Sequence, residues 1–105
     1  MTIPNNRAAT DIGYALRQAE EGLQIALRQE RNFLIEISDR IINLSEKYQT
    51  GDESKLRELQ SSIRKYERKR TFYSRDDVKK NSRIEMIFEN YNPKVQPIIN
   101  MLNKS

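Results

Sequence analysis

The chain has 105 residues, with 19 basic against 15 acidic side chains, a net charge of +4, and neither cysteine nor histidine. That length suits one domain. Without cysteine there is no thiol or disulfide chemistry, and without histidine the usual general base near neutral pH and the commonest transition-metal ligand are both missing. Apolar residues come in groups of one to three, too short for any stretch to cross a membrane. Met1 to Asn6 lacks the basic start, apolar run and small-residue cleavage site of a secretory signal. A cytoplasmic or other intracellular location is therefore expected.

Met1 to Asn5 reads as a short flexible tail. The first helix is expected to begin between Pro4 and Asp11, with Asn5, Asn6 or Thr10 as N-cap and Asp11 favoured by the nearby terminal amides. An apolar stripe then runs through Ile12, Leu16, Ala19, Leu23, Leu27, Leu34, Ile37, Ile41, Leu44 and Tyr48. Between Leu34 and Tyr48 its steps alternate three and four, a helical period close to a coiled-coil seam. Glu30 interrupts the stripe, and Ala19-Leu23-Leu27 slips from strict heptads. The pattern suits a globular bundle with one long member better than an ideal long coiled coil.

The helix is expected to stop at Lys47 to Thr50, with Gly51 as a left-handed C′ residue and Asp52 or Ser54 capping the next helix. So short a loop implies an antiparallel hairpin. Helix 2 carries Leu56, Leu59, Ile63, Tyr66, Arg70 and Tyr73 on one face, with the aliphatic stem of Arg70 covering its part of the stripe. Ser74 to Asp77 and Ser82 to Glu85 both have capping-box spacing, and either can open a third helix with Val78, Ile84, Ile87, Phe88 and Tyr91 as its apolar face. Asn92-Pro93 is expected to break that helix and open a short fourth one, which Pro97 disturbs. Val95, Ile98, Ile99 and Leu102 form a terminal apolar patch.

A helix from Asn6 to Tyr48 would be roughly 60 Å long at ~1.5 Å per residue, about twice the length of helix 2. The hairpin partner can cover Tyr48 back to about Leu27, and the first half of helix 1 needs other cover. That half carries a small-residue stripe, Ala8, Ala15, Ala19, Gly22 and Ala26, beside Ile12, Leu16, Leu23 and Leu27. Small side chains permit close helix approach, and glycine inside a helix costs roughly 0.5–1 kcal/mol relative to alanine, so Gly13 and Gly22 call for a packing explanation. Either later helices of the same chain cover this face, or a second copy or a partner helix docks on it. Ile12, Ala15, Leu16, Ala19, Gly22, Leu23 and Ala26 are the candidate protein interface. Off-stripe Ile25, Ile35 and Ile42 widen the apolar surface and make helix 1 a central member with more than one neighbour.

Basic residues cluster late in the chain. Arg64, Lys65, Arg68, Lys69, Arg70, Arg75, Lys79, Lys80 and Arg83 oppose only Glu67, Asp76 and Asp77, so this segment holds +6 while the rest of the chain sums to −2. Such a set can grip a phosphate backbone without reading bases, and exposed aromatics could stack on unpaired ones. DNA or RNA is therefore the alternative partner, weighed against Tyr66 and Tyr73 as core residues beneath a solvated charged face. Thr71 to Tyr91 gives only a poor match to a helix-turn-helix.

Catalysis has little to build on. Glu36 and Asp39 share a helix face, but the Glu-x-x-His elements of carboxylate di-metal bundles are absent, and no serine has a histidine to activate it. Glu30, beside the apolar stripe, is the one carboxylate out of place. The sequence thus predicts an all-α protein: a long helical hairpin extended to a three- or four-helix bundle, one domain over residues 1–105, without enzymatic activity or cofactor. It is expected to act as an oligomeric protein-interaction or adaptor module through helix 1.

Overall fold

The computed structural model describes the backbone from residue 3 to residue 104, and side chains from residue 12 to residue 104. The fold is all-α, with three helices: α1 (Ile3–Lys47), α2 (Glu53–Tyr73) and α3 (Ser82–Asn103). The chain divides into two compact units, Met1–Glu30 and Arg31–Ser105.

The second unit is a three-helix bundle. Its core is drawn from all three helices: Leu34, Ile37, Ile41 and Leu44 from α1, Leu59, Ile63 and Tyr66 from α2, and Ile84, Ile87, Phe88, Val95 and Ile99 from α3. Every one of the α1 and α2 positions belongs to the apolar stripes of the sequence. Ser38 and Ser62 are also buried, and their small side chains let neighbouring helices pack closely. The Ser38 hydroxyl donates to the Leu34 carbonyl at 2.6 Å, so its burial leaves no donor unmet.

α1 stops at Lys47, within the expected interval, and the antiparallel hairpin forms. The Asp52 amide donates to the Gln49 carbonyl at 3.0 Å and closes a four-residue turn. Gly51 takes the third position of that turn with φ +98°, where a side chain would be strained. Its positive φ was legible, but its place is in the turn rather than directly behind the helix end. Asp52 is the α2 N-cap, accepting from the Lys55 amide at 3.2 Å.

Three local expectations give way. Ser74 to Asp77 opens no helix: Ser74 caps the C-terminus of α2, its amide donating to the Arg70 carbonyl at 3.1 Å, while Arg75 and Asp77 form a two-pronged ion pair at 2.9 and 2.6 Å. Asn81, not Ser82, caps α3, because its side chain accepts from the Arg83 and Ile84 amides at 3.1 and 3.2 Å. No fourth helix begins at Asn92-Pro93, since α3 continues through both Pro93 and Pro97 to Asn103. Each proline removes one backbone donor. Against that stand buried anchors on both sides of the prolines: Ile84, Ile87 and Phe88 before, Val95 and Ile99 after. Asn92 sits between them and accepts a hydrogen bond from the Tyr66 hydroxyl instead of capping a helix.

In the first unit, α1 carries the residues of the proposed interface. The helix begins at Ile3, so Asn5, Asn6 and Thr10 are inside it rather than at its cap. Their side chains, like that of Ala8, lie outside the described residues.

Candidate protein interface and the basic segment

At 100° per residue, Ile12, Ala15, Leu16, Ala19, Gly22, Leu23, Ala26 and Leu27 fall within an arc of about 140° on α1. Large and small residues alternate along it. Ile12 and Leu16 are each 61% exposed and Leu23 59%. Ala15, Ala19, Gly22 and Ala26 are exposed as well, and Leu27 is half-buried. A Cβ added at Gly22 or Gly13 would meet no heavy atom within 4 Å, so neither glycine is needed to make room for a neighbour among the described residues. Ile12, Leu16 and Leu23 thus leave more than half of their surface uncovered.

Charge lies around the arc rather than on it. Arg17, Glu20, Glu21 and Arg28 occupy the remaining circumference, and half-buried Glu30 ends the apolar run. Tyr14 and off-stripe Ile25 are exposed outside the arc. The Tyr14 hydroxyl accepts from the Gln18 amide group at 2.9 Å, a local contact within one helix. Off-stripe Ile42 is half-buried while Ile35 is exposed, so the wider apolar surface of α1 is only partly used inside the bundle.

The bundle fixes the fate of the basic segment. Tyr66 is fully buried and meets Phe88 edge-on with centroids 5.6 Å apart. Burial pushes its phenol up to about 12, against the opposing pull of the nearby Arg70 charge. Tyr73 packs on the same Phe88 at 6.2 Å. Neither ring is presented to a base. Phe72, partly exposed beside Tyr73, is the one aromatic of the segment with an open face.

Arg64, Arg68 and Lys65 lie within an arc of about 100° on the solvent side of α2, while Lys69 and Arg70 turn to its two flanks. Lys69 lies over the Phe33 ring of α1 at 5.6 Å, and Lys65 lines the same α1–α2 side with Glu36, Asp39 and Arg40. Arg70 instead donates to Gln96 of α3 at 2.5 Å, and Arg64 lines the α2–α3 side with Ile99 and Leu102. Arg70 therefore reaches a polar partner on α3 rather than only laying its stem along the stripe. Lys80 donates to the Tyr73 carbonyl at 3.1 Å, placing positive charge at the C-terminal end of α2 where the helix dipole favours it. Arg75 is committed to Asp77 at 2.6 Å. Arg64, Lys65, Arg68, Lys79 and Arg83 remain exposed.

Two shallow grooves flank α2, of about 580 Å³ on the α1 side and about 400 Å³ on the α3 side. Both are lined by charges of both signs and open broadly to solvent. Asp39 accepts from the Tyr91 hydroxyl at 2.8 Å, which ties it to α3 and raises the Tyr91 pKa, with burial and the Asp39 charge adding to the effect. Among the described residues no three acidic side chains come together as a metal site, and no helix is long and apolar enough to cross a membrane. No protein-family model, curated protein or solved structure matches the chain.

Proposed function

We propose that the protein is a non-catalytic assembly module that docks on other protein through the exposed arc of α1 between Ile12 and Leu27. One observation carries this reading: a helical face of Ile12, Leu16 and Leu23, flanked by alanine and glycine, stands open to solvent although the chain has a core of its own. Large apolar side chains gathered on one exposed helix face favour burial against a partner, where single scattered ones would need no explanation. The small residues beside them allow a partner backbone to come close. An enzymatic role is not part of the proposal, because a chain without histidine or cysteine lacks the side chains most often used as base and nucleophile near neutral pH.

Gel filtration of extract from cells making the chain tests this. Wild type should elute in a larger assembly than the Gly22→Leu and Ala19→Leu variants, whose helix content after purification should be no lower than that of wild type by circular dichroism. Identical elution of all three at the free-chain volume would contradict it.

A second reading rests on Arg64, Lys65, Arg68, Lys79 and Arg83, whose exposed charges could contact the phosphate backbone of DNA or RNA. The turning of Lys69 and Arg70 toward α1 and α3 and the burial of Tyr66 count against a track with base stacking. Binding of mixed DNA or RNA at low salt, weakened when Arg64, Arg68 and Lys65 become alanine, would support it; no binding at low salt would end it.

A further inference from the structure

We infer that the partner on the α1 arc is a second copy of this chain, paired antiparallel about a two-fold axis between Ala19 and Glu20. The inference rests on the docking reading above and names its occupant.

The large residues are spaced symmetrically. Ile12 and Leu27 lie equally far from the point between residues 19 and 20, and so do Leu16 and Leu23. An antiparallel copy centred there sets Ile12 against Leu27 and Leu16 against Leu23 at both ends. Such a match of a surface with itself is what a two-fold interface requires. Ala19 falls at the crossing point, where a small side chain lets the helices approach.

The stripe-position carboxylate favours antiparallel over parallel pairing. Residues 12–30 hold Arg17 and Arg28 against Glu20, Glu21 and Glu30, a net of −1, so two copies repel little. A parallel pair would bring the two stripe-position Glu30 carboxylates together at the seam, whereas the antiparallel register separates them by ~30 Å. The weak negative charge also suits an anionic lipid surface poorly, since interfacial helices there carry lysine and arginine along the polar face.

Area sets the strength. A paired face of this length buries on the order of 500 Å² per copy, about 1,000 Å² in all, near the lower bound for a specific interface. The association should therefore depend visibly on concentration.

The test combines mass and cross-linking. In sedimentation equilibrium the purified chain should pass from 12.5 kDa toward twice that mass as its concentration rises. Leu16→Glu should weaken the dimer at least tenfold with unchanged thermal unfolding of the bundle. Because the natural chain has no cysteine, Ile12→Cys and Leu27→Cys can each be placed alone. A short bismaleimide should link the two variants when mixed, but link neither to itself efficiently. Self-linking of Ile12→Cys as strong as the mixed product would overturn the antiparallel arrangement. A photoreactive residue at Glu20, which borders the arc beside the proposed axis, separates the two levels of the proposal in cells. A doubled-mass adduct supports the second copy. An adduct with another protein only, alongside a monomer at all concentrations, overturns the second copy and leaves the docking reading standing. No adduct overturns both.

Discussion

The two parts of α1 carry the same kind of stripe and meet different fates. From Leu34 to Leu44 its apolar side chains are buried by α2 and α3, Leu34 and Ile41 completely. From Ile12 to Leu23 they stand about 60% exposed. Composition does not explain the contrast, since leucine and isoleucine dominate both. What differs is the neighbouring residues of the stripe. The buried part is flanked by buried Ser38 and half-buried Ile42, and it shares one core with residues of α2 and α3. The exposed part is flanked by alanine and glycine. Burial of an amphipathic face is thus a property of what lies opposite it, and the helix pattern alone shows only that something should.

The largest effects should come from the buried part. Leu34→Ala or Ile41→Ala should lower the stability of the bundle by about 2–5 kcal/mol in urea titration, through lost transfer energy and an unfilled cavity. A loss under about 1 kcal/mol would break the comparison. Leu16→Ala and Leu23→Ala, measured at dilution, should change bundle stability by no more than about 0.5 kcal/mol, as exposed positions do.

Next comes the buried polar link between α2 and α3. Tyr66→Phe leaves the Asn92 side-chain oxygen without the hydroxyl that donates to it and should cost about 1–3 kcal/mol. The same residue sets an alkaline dependence. Its pKa is raised in the fold from 10.0 to about 12, so the stability from burying the neutral phenol is complete below pH 10 and is lost as pH rises toward 12. Tyr66→Phe should flatten that decline in urea titrations between pH 9 and 12. An unchanged slope would show that another group controls it.

Helix ends and glycines give smaller changes. Asn81→Ala should destabilise by about 1 kcal/mol in the same titration, since Asn81 satisfies two amides at the start of α3. Gly22→Ala should increase the helicity of the first unit, by about 0.5–1 kcal/mol of local stability in hydrogen exchange at dilution. Nothing stands within 4 Å of the added methyl group, so no clash opposes the gain. Gly51→Ala should do the reverse, because its φ of +98° lies where only glycine is unstrained.

Much of the fold was legible in the sequence. The alternating three- and four-residue steps located α1 and α2 and their buried faces, and Gly51-Asp52 located the hairpin. Asn92-Pro93 and Pro97 misled, because local signals for a break carry no information about anchors such as Ile84 and Ile99 that hold α3 together across them. Asn81 was missed as a cap because Ser82 and Glu85 mimic a capping box one residue later. Of the candidate surfaces, the α1 arc could be drawn from spacing, but not its exposure, because an amphipathic stripe reads the same whether or not it is covered. The basic run was plain in sequence, but not that Lys69 would meet Phe33 and Arg70 would meet Gln96 on opposite flanks of α2.

Hydrogen exchange across a range of protein concentration addresses the central contrast most directly. Backbone amides from Ile12 to Leu27 should gain protection as concentration rises, while those from Leu34 to Leu44 stay equally protected throughout. Protection of the first stretch that is independent of concentration, with the mass fixed at 12.5 kDa, would contradict the view that this half of α1 is completed by another copy of the chain.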